Sequence, residues 1–175
     1  MRPPLKSLDD ALAELLAHAQ PLPATERVAT FDADGRVLAE ALQSALHVPP
    51  QDNSSMDGYA VRVADVTAPG AVLPVSQRIP AGSAGAPLAA GTAARIFTGA
   101  PLPEGADAVV MQERVEVEGD EVIFHHVPYP WESVRRAGSE IALGSEILTA
   151  GTRLSPQALA LAAAVGYATL PVRRR

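Results

Sequence analysis

Two stretches of this chain concentrate residues able to do chemistry. The first reads Asn53-Ser54-Ser55-Met56-Asp57-Gly58-Tyr59, the second Ile96-Phe97-Thr98-Gly99-Ala100-Pro101. Each sets an acid or a hydroxyl beside a glycine, next to an apolar run, where the backbone can turn sharply and leave the side chain exposed. A carboxylate at Asp57 could bind a hard cation, or orient an oxyanion through one. The same Asp-Gly pair also fits a plain turn whose side chain bonds its own backbone, and this motif alone favours the turn. Asn53 and Ser55 are equally good turn formers. A threonine at a strand end followed by glycine, as in Thr98-Gly99, suits an anion or phosphate group. A β-turn before Pro101 and Pro103 explains the same residues.

Other clusters are weaker. Gly138-Ser139-Glu140-Ile141 is a second acidic loop. Arg135-Arg136 could face an anion, although paired arginines are usually solvated or in surface ion pairs. Ala81-Gly82-Ser83-Ala84-Gly85 lacks the Gly-Lys-Ser/Thr ending of a phosphate loop and reads as an ordinary loop. His125 and His126 are neighbours on an expected hairpin, so they point to opposite faces and cannot chelate together. His18 and His47 are isolated, which leaves a histidine metal site without support. The chain has no cysteine, so disulfides and thiolate metal sites are ruled out.

The elements that must hold these loops are short. Among 175 residues, 16 are proline and 13 glycine, and they divide the middle of the chain into brief apolar runs at 59–63, 72–75, 93–97 and 106–111. Residues 114–118 alternate, Gly119-Asp120 follows, and then Glu121-Val122-Ile123-Phe124, a hairpin signal. Several such strands predict a small barrel or sandwich. Outside this region the pattern is helical. Ser7 is a cap, with Leu8, Ala11, Leu12, Leu15, Leu16 and Ala19 at helical spacing, and Pro21 and Pro23 end the segment. Val37, Leu38, Ala41, Leu42 and Ala45 predict a second helix. Ser155-Pro156 opens a third, over 157–165, apolar on nearly every side and therefore expected to be buried. Residues 168–172 read as a strand or an extended exit.

The formal net charge of −6 disfavours nucleic acid or an anionic membrane as the main partner, though not a small anion that needs only local donors. No window approaches the roughly 18 uninterrupted apolar residues of a membrane span. The expectation is a soluble, cytoplasmic protein.

Five stretches, in order, carry a resemblance. They are Asp52-Asn53-Ser54-Ser55-Met56-Asp57-Gly58-Tyr59-Ala60-Val61-Arg62, then Ile79-Pro80-Ala81-Gly82, then residues 95–113, then Gly151-Thr152-Arg153-Leu154, then Gly166. From about Ser7 to Val172 the chain resembles the N-terminal part of molybdopterin molybdenumtransferase, the metal-insertion enzyme of molybdenum cofactor biosynthesis. The same module occurs in the E domain of gephyrin. The resemblance implies an α+β fold: an elongated helical module built from both chain ends, 1–47 and 135–175, with a β-barrel-like module, 48–134, inserted between them. It also implies a homodimer, and further C-terminal domains that bind molybdopterin and lie beyond Arg175. The implied reaction is insertion of molybdate into adenylylated molybdopterin with release of AMP, aided by Mg²⁺. By that resemblance Asp57, Thr98 and Glu140 are catalytic, Asn53, Ser55, Gly58 and Gly99 bind substrate, and Asp57 is the candidate metal ligand. Gly138-Ser139-Glu140 stands where the family has Gly-Glu-Asp, and Pro130-Trp131-Glu132-Ser133 replaces a Pro-Gly-rich lead-in. A chain holding one wall of the site is expected to be inactive alone. The alternative is a non-catalytic scaffold or dimerisation module of the same family.

Overall fold

The computed structural model describes residues 5–20 and 24–174. Pro21 and Pro23, expected to end the first helix, lie outside the described residues. In chain order the elements are α1 (Leu8–Ala17), β1 (Thr25–Ala29), β2 (Leu42–Gln43), β3 (Asn53–Ser54), β4 (Gly58–Val61), β5 (Ala71–Ile79), β6 (Ala93–Ile96), β7 (Ala108–Met111), β8 (Val115–Glu118), β9 (Glu121–Phe124), β10 (Val134–Arg135), β11 (Glu146–Leu148), α2 (Pro156–Ala164) and β12 (Thr169–Arg173). Short 3-10 turns follow β1, β4 and β7.

This is mostly sheet, which corrects the expected helical module. The described residues hold two short α-helices, and the helix predicted over 37–45 does not form. Its apolar spacing is helical, but its backbone is spent elsewhere. The Leu38 and Ala39 N–H groups donate to Thr152 and Pro171 carbonyls, and the Val37 carbonyl accepts from Arg173. Cross-chain pairing has overridden a weak local preference.

Two compact units divide the chain, one taking the described residues up to Leu42 and from Leu148 onward, the other Gln43–Ile147. In the first, β1 pairs antiparallel with β12 from Thr25↔Arg173 to Ala29↔Thr169. Ser7 caps α1, its hydroxyl accepting from the Asp10 N–H at 3.1 Å. Ser155 caps α2 in the same way through Ala158. The all-round burial expected of α2 is not found. Leu159 and Ala162 are its buried residues, so one face packs inward, and its alanines leave little apolar bulk on the other. On α1, Leu8, Leu12, Leu15 and Leu16 are all exposed.

The second unit is built on a six-stranded sheet, ordered β7-β4-β6-β5-β9-β8, that curls into a half-barrel. Only β5 and β6 run parallel. The long β5 serves two partners: Ala71–Pro74 pairs with β9, and Val75–Ile79 with β6. Gly119, at φ 62, turns the β8–β9 hairpin, the positive φ that glycine supplies at the first central position of such a loop. One face of the sheet carries Tyr59, Val61, Leu73, Ala93, Val110, Val122 and Phe124. The opposite face carries Ala60, Ile79, Ala94, Ile96 and Val109. With both faces covered, strands β4, β6 and β7 read as near-continuous apolar runs, which is why they stand out in the sequence.

Strand β4 is buried at every residue. Gly58 begins it at a point of close approach, where a Cβ would meet the Val110 carbonyl oxygen at 2.1 Å. That oxygen is backbone held in the β4–β7 ladder, so it cannot move aside cheaply. Gly58→Ala is expected to destabilise the chain by about 3 kcal/mol, the upper range for overpacking, read as a lower urea midpoint. An alanine variant as stable as the parent would contradict this packing account.

Candidate functional site

Asp57 immediately precedes β4, and Thr98 lies two residues past β6. The strands pair with Gly58 opposite Ile96, so the ladder itself brings the two loops together. Asp57 Oδ1 accepts two hydrogen bonds from one residue, the Thr98 N–H at 2.8 Å and the Thr98 hydroxyl at 2.7 Å. Asp57 is half-buried and Thr98 exposed. The turn reading of Asp57-Gly58 therefore gives way to a contact across 41 residues. The first glycine of the second motif helps close it, since Gly99, at φ 81, donates its N–H to the Ser54 carbonyl.

Those bonds set the charge of Asp57. The Thr98 backbone N–H, then its hydroxyl, favour the ionised carboxylate and hold its pKa below the ordinary aspartate value; partial desolvation opposes this, and the nearby Arg95 guanidinium adds to the lowering. Carboxylates that accept fixed hydrogen bonds behave this way. A pair so arranged is an anion whose one oxygen is fully used, with the second oxygen carrying no protein hydrogen bond among the described residues.

Arg95 opens the 95–113 stretch without being a candidate site residue in the sequence, yet it organises the loop. Its guanidinium donates to the Gly58 carbonyl at 3.0 Å and to Gln112 Oε1 at 2.6 Å, and it lies over the Tyr59 and Phe97 rings. The Gln112 N–H in turn donates to the Asp57 carbonyl. The available signal is an arginine placed between the buried Ala94 and Ile96, a charge on the alternate face of an apolar strand.

The other expected site residues are engaged in structure. Ser55 donates both its N–H and its hydroxyl to the Ser133 carbonyl. Asn53 is buried; its amide donates weakly to Gln51 at 3.4 Å, and its Oδ1 is buried without a hydrogen-bond partner. Gly58 and Gly99 are required by packing and by backbone conformation respectively. Glu140 is exposed, with its carboxylate 3.9 Å from Arg135 Nε; no hydrogen bond or ion pair joins it to Asp57 or Thr98 among the described residues. Arg136 stacks on Trp131 at 3.6 Å and pairs with Asp52 at 3.1 Å. His125 and His126 lie just past β9 rather than on the hairpin. His126 Nε2 meets the buried Glu132, whose other oxygen accepts from the Tyr129 N–H. Glu132 thereby holds the turn in which Trp131 and Ser133 adopt positive φ.

The described residues hold no preformed cluster of metal ligands. No group of three or more His, Cys, Asp or Glu converges anywhere among them, and Asp57 already gives one oxygen to Thr98. No helix among them is long and apolar enough to cross a membrane.

The sequence and the fold are both similar to those of known proteins. Residues 6–166 match the family model described as the MoeA N-terminal region, domains I and II. Molybdopterin molybdenumtransferase of a Nostoc species is 43% identical over 156 residues, covering 86% of this chain and 36% of that protein. The protein of the same name from Synechococcus elongatus is 41% identical over 174 residues, covering 95% and 43%. The crystal structure of the molybdopterin biosynthesis moeA protein from Pyrococcus horikoshii aligns with a TM-score of 0.88 at 35% identity, covering 94% of this chain and 45% of that one. The chain belongs to the MoeA N-terminal family. It spans less than half the length of these relatives.

A depressed pKa has a definite pH consequence. The ionised pair contributes to stability above the unfolded aspartate value and is lost as pH falls through the lower, folded one. A ¹³C titration of the Asp57 carboxyl should give a midpoint below that of ordinary aspartates. Thr98→Val keeps the backbone donor and removes the hydroxyl, so it should raise the midpoint part of the way. An ordinary midpoint in the parent chain would mean that the two bonds are not made in solution.

Proposed function

We propose that this chain is the N-terminal portion of a molybdopterin molybdenumtransferase, forming one wall of a site where molybdate enters adenylylated molybdopterin and AMP leaves. The observation that carries the reading is the Asp57–Thr98 pair. It joins the two motif loops at adjacent strand ends, and its hydrogen bonds favour the ionised acid. In this reading Asp57 and Thr98 touch the reactants. Thr98 gives its proton to Asp57, so toward a reactant its hydroxyl oxygen is an acceptor unless that bond opens. An ionised Asp57 repels molybdate, a dianion, and its lowered pKa makes it a weak base; its fitting role is to accept a hydrogen bond and so orient a donor on the substrate. Asn53, Ser55, Gly58 and Gly99 hold the loop that presents it. Glu140 belongs to the site only through a rearrangement of its Arg135 contact. Magnesium, expected from the resemblance, would need substrate oxygens and water beside the Asp57 carboxylate to complete its shell.

We also propose that the protein acts as a homodimer and lies in the cytoplasm, where a small-molecule biosynthetic step of this kind takes place. Mass measured by light scattering at micromolar concentration tests the first; a mass of one chain would oppose it.

The functional test is a chimera. Residues 6–166 replace the matching region of the Synechococcus elongatus relative, and insertion is assayed with adenylylated molybdopterin and molybdate. The chimera should turn over, while the chain alone should not, because both reactants must be held together for the step to be fast. Asp57→Asn should lower turnover by roughly 100-fold, the scale of losing a group that positions the substrate, without lowering the urea midpoint to match. Full activity in the Asp57→Asn chimera would refute the assignment.

A further inference from the structure

A groove of about 370 Å³ opens on the half-barrel unit, lined by Tyr59, Ser76, Arg78 and Arg95 on the sheet and by Gly119 and Asp120 of the β8–β9 hairpin among others. Its floor is unusual in charge. In the parallel β5–β6 ladder, Arg78 stands opposite Arg95, and like charges on neighbouring strands oppose each other. Neither guanidinium is in an ion pair among the described residues. Instead both lie over the same ring, with Arg78 4.4 Å and Arg95 4.6 Å from the Phe97 centroid. Stacking fixes the direction of the two guanidinium planes while leaving N–H edges for another partner.

A defect in the strand creates this pairing. Leu73 and Val75 of β5 belong with the face that holds Tyr59. The register then shifts between Val75 and Gln77, and Ile79 is buried on the opposite face. Without the shift, Arg78 would fall on the face away from Arg95. The bulge re-aims it, which is a recognised use of such features beside binding sites. Arg95 also connects the groove to Asp57, since it bonds the Gly58 carbonyl and lies near enough to lower the Asp57 pKa.

We propose that Arg78 and Arg95 form an oxyanion subsite, receiving a tetrahedral oxyanion such as a phosphate ester or molybdate next to Asp57. Planar guanidinium forks suit such groups. An anion between the two arginines relieves their mutual repulsion, and the arginines supply the positive charge that lets an anion approach the acidic Asp57. Asp120 also lines the groove, and its charge disfavours an anion on the hairpin side. The identity of the oxyanion rests on the function proposed above; the existence of the subsite does not.

The test uses the chain itself, at low salt, so that screening does not hide the binding. Arginine side-chain ¹⁵N–¹H resonances are followed while AMP, inorganic phosphate or molybdate is added in separate titrations. Arg78 and Arg95 resonances should move saturably with at least one of these. AMP and phosphate acting without molybdate would mark a phosphate subsite, and molybdate acting alone would mark the metal oxyanion; each supports the proposal. Arg78→Gln should weaken the binding at least about tenfold, the loss expected for one charged donor. Arg78 bonds no backbone group, so this variant tests the subsite without disturbing the Gly58 loop. No saturable movement up to about 10 mM, a concentration beyond which affinity is negligible, would overturn the subsite, as would equal binding by Arg78→Gln. Loss of activity in the chimera with these shifts intact would count against the functional reading and leave the subsite standing.

Discussion

Strand β4 is the constraint on which the site depends. Its four residues are buried, and it is paired antiparallel on both sides, to β6 and to β7. Gly58 lets β7 approach so closely that no side chain fits there. Once that strand is locked, the residue before it and the residues past the end of β6 have no freedom to separate. Asp57 and Thr98 are then neighbours by register, and their hydrogen bonds complete an arrangement that the ladder has already made. Little conformational entropy remains to be lost when a ligand meets them, which is the physical content of preorganisation.

The same register explains the charges. On β6, Ala94 and Ile96 face one cluster, and Arg95 faces the other side beside Tyr59. Its guanidinium is held by a backbone carbonyl, a glutamine and two rings, so it is an oriented cation at the edge of a half-barrel core. Beside it stands a carboxylate kept ionised by Thr98. Opposite charges fixed at the strand ends give the face a local dipole. A net acidic chain can thus present donors to an anion at one point and a hydrogen-bond acceptor at the next.

Much of this is legible in the amino-acid sequence. The strands β4 to β9 follow from apolar runs separated by Pro and Gly, and the caps at Ser7 and Ser155 follow from their side chains. The extended backbone over 37–45 is not legible, because Leu38 and Leu42 have helical spacing and the true partners of this segment, around 152 and 171, are more than a hundred residues away. Helical modules at the chain ends fail for the same reason: the backbone near β1 is paired with β12, not with itself. Asp57 and Thr98 are visible as motif residues, but not their contact, which depends on register. Arg95 stands inside a motif stretch, but its pairing with Arg78 is silent, since a register shift that re-aims one side chain leaves no mark in periodicity.

The central claim is that Asp57 and Thr98 act as one unit in the reaction. A double-mutant cycle measures this directly, with Asp57→Asn, Thr98→Val and the pair each placed in the chimeric enzyme and assayed for molybdate insertion. If the residues work together, the double variant loses little more turnover than the worse single one, as groups that act jointly do. If the two losses multiply, the residues act independently and the account of a preorganised pair is wrong.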